Sequence, residues 1–160
     1  MPTIREYRES DRAETLECIA LLQEYERMLL PRDFLPGEPM AKEHLPYLLR
    51  RCAESDGKLL VAEEGGRIVG YACVWKSVDD MAHMYTPESL EYAYVIDLFV
   101  RDEYRGRGIG RALLEAAETH ARSLGLRRIM LHVVAENQSA ADAYAAMGYK
   151  TYNLLLSKDL

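Results

Sequence analysis

Apolar positions along the chain switch between two periods, and the switches mark out the elements. Thr3 to Tyr7 reads as a short strand. Ser10 then offers an N-cap, and Leu16, Ile19, Ala20 and Leu22 continue an apolar helical face, which predicts a first helix. Pro31, Pro36, Gly37 and Pro39 break that pattern, so residues 31–39 are expected as a loop. A second helix is predicted over Ala41 to Ala53, with Pro46 limiting its regularity and Gly57 ending it. Two β-rich runs follow, Lys58 to Glu63 and Ile68 to Lys76. Glu64-Gly65-Gly66-Arg67 joins them, which is a hairpin signal. Residues 77–90 hold Pro87 and several charges and read as a loop or short helix. Glu91 to Val100 is a strongly apolar strand with one charge inside it, Asp97.

The second half alternates more regularly. Asp102 to Gly110 is a polar, glycine-rich loop that runs directly into a helix, Ile109 to Leu124, ended by Gly125. Arg127 to Val134 is another strand. Ser139 to Met147 is a short helix stopped by Gly148, and Tyr149 to Ser157 closes the chain as one strand or two. The predicted order is β-α-α-β-β-β-α-β-α-β, a mixed α/β (α+β) chain with no internal repeat and no linker. At 160 residues it is expected to form one domain, 1–160, that buries a core without a metal or disulfide.

Composition narrows the function classes. No apolar run approaches the about 20 residues of a transmembrane helix. The opening Met-Pro-Thr-Ile-Arg-Glu has no apolar stretch, so no secretory signal is expected, and the chain is placed in the cytoplasm. A net charge of −6 argues against nucleic acid as a partner, and no membrane partner is expected. The charge is uneven. Residues 101–160 carry nine Lys/Arg against seven Asp/Glu, with Arg101, Arg105, Arg107 and Arg111 close together. Such an island in an acidic chain suits a small anionic ligand; a solvated charged loop gives the same pattern. Cys18, Cys52 and Cys73 form no Cys-x-x-Cys pair, and the four histidines form no metal-binding spacing. No metal site is expected, and the cysteines read as buried free thiols.

The informative stretch is Tyr94 to Ala121, where a buried strand enters a glycine loop and the loop opens a helix. Free N–H groups at a helix N-terminus bind anions, and the helix dipole adds to this. Gly106, Gly108 and Gly110 allow a diphosphate to approach the backbone. The loop is not a Walker A motif, which needs a Lys. It is not a Rossmann loop either, because Arg111 stands where the third glycine would be. The pattern that fits is Arg-x-x-Gly-x-Gly, from Arg105 to Gly110.

That segment resembles the pyrophosphate loop of the GNAT-type N-acetyltransferases, which bind acetyl-coenzyme A. Gly70 to Trp75 resembles the family's third strand. Val134 to Tyr149 resembles its second cofactor segment, with Asn137, Tyr144 and the Gly148-Tyr149 pair in place. The resemblance implies a GNAT fold, a mixed and mostly antiparallel sheet flanked by helices, with acetyl-CoA as co-substrate. It implies that Leu98, Phe99 and Val100 pair with the pantetheine arm through their backbone. It places Arg105, Gly106, Arg107, Gly108, Ile109, Gly110 and Arg111 around the pyrophosphate and Asn137 on the pantetheine. Tyr144 becomes the general acid for the departing thiolate. A phenol suits this, since its ordinary pKa of ~10 lies above a thiol's ~8.5. Core packing also explains a tyrosine at this helical spacing, and Asn137 also fits a helix N-cap.

The implied reaction is direct acetyl transfer to a primary amine of a small molecule, in a ternary complex, by a chain expected to be a homodimer. An amine with a pKa of about 10 must first lose its proton. The strand and loop are nearest to the diamine (spermidine/spermine) acetyltransferase branch, which has a Glu-Asp pair here. Asp97 matches the Asp, and Ile96 stands at the Glu position. Asp97 is the sharpest candidate for contact with a cationic acceptor, with a structural salt bridge as the other account of a charge in an apolar strand. Glu91, Tyr92 and Tyr94 are further acceptor-side candidates, and the Asp33 to Met40 loop is implied to shape the acceptor pocket. Two other functions stay open on sequence: a non-catalytic acyl-CoA-binding domain on the same fold, and transfer to a protein N-terminus or lysine.

Overall fold

Among the described residues, five strands make one sheet: β1 (Thr3–Glu6), β2 (Lys58–Glu64), β3 (Arg67–Val78), β4 (Glu91–Val100) and β5 (Ile129–Leu131). The computed structural model describes residues 2–79, 82–86 and 90–158. The expectation for residues 77–90 therefore lies partly outside the described residues, although β3 runs on to Val78 and Ala82–Met84 form a 3-10 turn. Strand order is β1-β2-β3-β4-β5. The first four are antiparallel and β4–β5 is parallel. Among the described residues, four α-helices of a full turn or more flank the sheet: α1 (Arg12–Leu29), α2 (Gly37–Glu54), α3 (Ile109–Ser123) and α4 (Gln138–Ala146). A parallel pair cannot be joined by a tight turn, so α3 serves as the crossover from β4 to β5.

The period-2 pattern splits the core into two layers. On β3, Ala72 and Val74 pack toward Leu113, Leu114 and Ala117 of α3. Tyr71, Cys73 and Trp75 pack toward Ile19 of α1 and Leu45 and Leu48 of α2. No described helix is long and apolar enough to cross a membrane.

Several boundaries differ from the sequence reading. Ser10 does not cap α1: it lies inside a 3-10 turn, Glu9–Asp11. Asp11 reaches back instead, accepting the Arg8 N–H at 2.7 Å and pairing with Arg5 at 2.7 Å. The second helix starts at Gly37, not Ala41, because Pro39 falls in its first turn, where proline is tolerated. Gly37 is also where α2 crosses α1. A Cβ there would lie 2.3 Å from the Ala20 carbonyl oxygen. The strand expected over Arg127 to Val134 shrinks to Ile129–Leu131. Residues 150–158 form no strand, and Leu155 is 99% exposed. Apolar content predicts a strand only where a second surface meets it.

Candidate active site

A bulge in β4 decides what this site contains. Cys73 faces Asp97 and Val74 faces Val95, so Ile96 is the extra residue. An extra residue flips the side-chain parity of a strand. Before the bulge, Ala93 and Val95 pack on the α3 side; after it, Leu98 and Val100 do. Asp97 is thereby turned to the α1–α2 side. There the Tyr71 hydroxyl donates to its Oδ2 at 3.0 Å, and His44 Nε2 lies 2.9 Å from the same oxygen.

β5 pairs only with Ala93–Val95, so the two strands part beyond that point. The Arg101 N–H is bonded back to Val69 on β3. Backbone groups alternate along a strand, so Leu98 and Val100 turn theirs to the open edge. The Val100 carbonyl accepts Arg105 Nε at 3.0 Å. This leaves the Leu98 N–H and C=O and the Val100 N–H for a ligand. Phe99 directs its backbone at β3, so it lends the groove its side chain rather than the backbone pairing expected of it. A groove of about 390 Å³ runs along this edge, bounded by the glycine loop at one end and α4 at the side.

At the loop, Gly106 and Gly108 have φ of 74° and 78°. That left-handed backbone is open to glycine without steric cost. Gly108 is the N-cap of α3. The N–H groups of Gly108, Ile109, Gly110 and Arg111 therefore have no acceptor within the helix, and with the helix dipole they form an anion site. Arg105 and Arg111 border it. Arg105 is held by Asp102 at 2.9 Å, and its guanidinium lies over the rings of Tyr25 and Phe99 at 5.3 and 5.8 Å.

The opposite wall is α4. Asn137 is its N-cap, and Oδ1 accepts the Ala140 N–H at 3.2 Å and the Tyr25 hydroxyl at 3.3 Å. Cap and groove wall are thus the same residue, with the amide Nδ2 left for a ligand. Gly148 ends α4, and the Tyr149 N–H returns to the Tyr144 carbonyl at 3.1 Å. This fixes Tyr144 on the last turn, lining the groove. Burial, and then the charge of Glu26, push the Tyr144 phenol up to about 12. The hydroxyl is a donor throughout the neutral range. It is a weaker acid than an ordinary phenol, so what it offers the groove is a hydrogen-bond donor.

Glu26 is the residue the sequence reading missed. It follows Leu22 by one turn of α1, and both Leu22 and Tyr25 line the groove. Its carboxylate is half-buried, and it has no hydrogen-bond or ion-pair partner among the described residues. Burial raises its pKa; Asp97 raises it further and His44 opposes. Glu26 therefore sits within electrostatic reach of Tyr144 on one side and the Asp97–His44 pair on the other. His44 is 23% exposed and Asp97 11%. Burial works against the charged form of His44, but the Asp97 hydrogen bond and charge, with Glu26, leave its pKa raised. Beyond this pair the α1–α2 face is aromatic: Tyr47 stands 6.2 Å from Trp75, and Trp75 6.0 Å from Tyr94.

The chain that carries this groove has relatives among known proteins. The Acetyltransferase (GNAT) family model matches residues 17–149. This chain belongs to the GNAT acetyltransferase family. An N-acetyltransferase of Methanocaldococcus jannaschii, described as uncharacterized, is 33% identical over 113 residues, 69% of this chain and 45% of its own length. The mycothiol acetyltransferase of Streptomyces bingchenggensis is 37% identical over 92 residues, 58% of this chain and 27% of its own length. This chain spans less than half the length of these curated relatives. Among solved structures, a tetramutant of a Bacillus halodurans protein superimposes with a TM-score of 0.83 at 22% identity, covering 99% of both chains. Glucosamine-6-phosphate N-acetyltransferase from Arabidopsis thaliana gives 0.70 at 19% identity, covering 99% of this chain and 98% of that one. These likenesses show the GNAT fold.

Within that GNAT fold, not every residue singled out by sequence meets in the groove. Leu98, Phe99, Val100, Arg105, Gly106, Gly108, Ile109, Gly110, Arg111, Asn137 and Tyr144 all line it. Arg107 does not: it lies over the Tyr104 ring at 5.2 Å and 3.7 Å from Glu64. Arg101 leaves the basic island altogether, being 5% exposed and paired with Glu17 at 2.8 Å. Glu91 pairs with Lys76 at 2.8 Å, six residues before Asp97 and so about 20 Å away along the strand. The segment implied to shape the acceptor pocket, Asp33 to Met40, is half helix, since α2 begins at Gly37.

Proposed function

We propose that this chain transfers an acetyl group from acetyl-CoA to a primary amine of a small molecule, directly and without a covalent enzyme intermediate. The observation that carries the reading is one continuous groove. It joins the anion site of α3, the open Leu98–Val100 edge and the Tyr144 hydroxyl. These residues suit a diphosphate, an extended amide-bearing arm and a thioester in that order. The helix N-terminus would hold the diphosphate, with Arg105 and Arg111 beside it. The Leu98 and Val100 backbone would pair with the arm as a strand pairs. Acetyl-CoA supplies the activated acyl group; the residues of the chain bind, orient and move protons.

Two residues carry proton chemistry in this reading. Tyr144 donates a hydrogen bond to the sulfur as charge builds there. Glu26 accepts the proton that an ammonium must lose before it can attack. A carboxylate with a raised pKa is the better base for this, because base strength is most useful near the working pH. Asp97, with both Tyr71 and His44 on one oxygen, acts as a positioning residue. It fixes His44 and adds negative potential where a cation would dock. The acceptor of this reading is therefore cationic and polyamine-like, with Glu26 on α1 supplying the carboxylate that Ile96 does not.

Tyr144→Phe tests the reading, because the ring volume is kept and only the hydroxyl is lost. We expect kcat to fall by ~10²-fold or more with acetyl-CoA affinity unchanged. An unchanged kcat, measured where chemistry limits the rate, would leave Tyr144 as a packing residue.

A further inference from the structure

Cys52 and Cys73 lie far apart in sequence, yet their sulfur atoms are 3.5 Å apart. Cys52 stands near the C-terminus of α2 and Cys73 in the middle of β3. The backbone holds the two elements together at this point. The Gly57 N–H donates to the Cys52 carbonyl at 2.8 Å, and the Lys76 N–H to the Ser55 carbonyl at 2.9 Å. A Cβ on Gly57 would come within 2.8 Å of the Cys52 Cα and 2.7 Å of the Val74 carbonyl oxygen. The meeting of the two sulfurs thus follows from how α2 is fastened to β3.

The two thiols are unequal. Cys73 is fully buried and Cys52 partly exposed. The two thiols share a hydrogen bond in which either can donate, and it lowers the Cys52 pKa against the opposing effect of burial. The same bond, with burial, raises that of Cys73. The thiolate is the reactive form of cysteine, so the reachable sulfur is also the readier nucleophile. Cys18 provides a contrast within the same chain. It is fully buried, lies 3.8 Å from the Ile68 carbonyl, and burial pushes its thiol up to about 11.

We propose that Cys52 and Cys73 are a reversible dithiol–disulfide pair that reacts with low-molecular-weight disulfides. Cys52 thiolate attacks one sulfur of the small disulfide, and the other half leaves as a thiolate. Cys73 then attacks the Cys52 sulfur of the mixed disulfide and expels the second half as a thiolate, which takes up the Cys73 proton as it leaves. Two protein thiols and one small disulfide become one protein disulfide and two small thiols, so atoms and electrons balance. Closing the bond brings the sulfurs from 3.5 Å to about 2.05 Å. The crosslink would tie α2 to β3 within the acceptor-side framework, since Cys73 is in register with Asp97 and α2 also carries His44.

The test exposes the full chain to oxidised glutathione and maps its thiols by peptide mass. We expect the loss of two hydrogen masses, a Cys52–Cys73 crosslinked peptide, Cys18 still open to alkylation after unfolding, and full reversal by dithiothreitol. The oxidised protein should melt higher by roughly 5–10 °C, because the crosslink restricts the unfolded chain. Cys73→Ser should hold glutathione on Cys52 as a lasting mixed disulfide, and Cys18, fully buried in the fold, should stay unmodified, which reports that the variant folds. A wild-type chain that stays reduced, that keeps glutathione on Cys52 without closing the bond, or that crosslinks through Cys18 would overturn the proposal.

Discussion

A half-buried carboxylate without a partner costs stability, and Glu26 is one. Its raised pKa means that the folded state holds the proton more tightly than the unfolded chain does. Stability then falls as pH rises from the ordinary glutamate value through the folded one, and the deficit persists above that. Glu26→Gln removes the charge and keeps the shape. The variant should therefore melt higher than wild type at pH 7.5 and about equally at pH 3, by calorimetry or circular dichroism. If Glu26 is the base, the same variant should lose ~10²–10⁴-fold in turnover at pH 7. The loss should shrink toward pH 10, where much of the amine is already neutral. More stable but slower is the pattern of a residue kept for function. A variant that melts lower at pH 7.5 and turns over normally would return Glu26 to a structural role. Little in the sequence marks Glu26 out. It is one of several acidic residues on α1, and only the fold brings it within electrostatic reach of Tyr144. Asp97 was visible as a charge in an apolar run. That it would be spoken for by His44, 53 residues earlier, required the fold.

At the scale of elements, the glycine loop was the most legible part of the chain. Gly106 and Gly108 stand at positive φ, and the helix that follows was marked by good helix formers and a closing Gly125 at φ 75°. Gly108→Asp tests the anion site directly. Asp is a good N-cap residue and tolerates left-handed backbone, so α3 should form, while its carboxylate takes the place expected for a diphosphate. We expect at least a tenfold loss in affinity for CoA, or about 1.4 kcal/mol, by isothermal titration. Unchanged affinity with intact helical content would remove the loop from the binding site. The bulge at Ile96 was illegible, because apart from Asp97 the run Tyr94 to Val100 is apolar on both faces and carries no alternation to break. Its effect is large, since it turns Asp97 from the α3 side to the α1–α2 side. The start of α2 was misread for a related reason. Proline predicts a break in a helix interior but fits the first turn, and only the packing of Gly37 on Ala20 shows which applies.

For the whole molecule, element order up to the last helix followed from periodicity, and fold class from the resemblance of three segments to the GNAT family, with which the family match agrees. The shortness of β5 and the exposed end of the chain did not follow, because strand pairing depends on which surfaces meet. The shortness of β5 is also what the account leans on most. By pairing only with Ala93–Val95 it leaves the edge that an extended acyl-carrier arm would occupy. The central claim is that this groove supports acetyl transfer to an amine. Thiol release from acetyl-CoA tests it most directly, measured with and without a panel of small primary amines that includes di- and polyamines, with the product identified by mass. The account predicts amine-dependent release of CoA, a product heavier by one acetyl group on nitrogen, and preference for cationic amines over neutral ones. CoA binding without amine-dependent release from any of these amines would contradict it and leave a domain that binds the acyl carrier without turning it over.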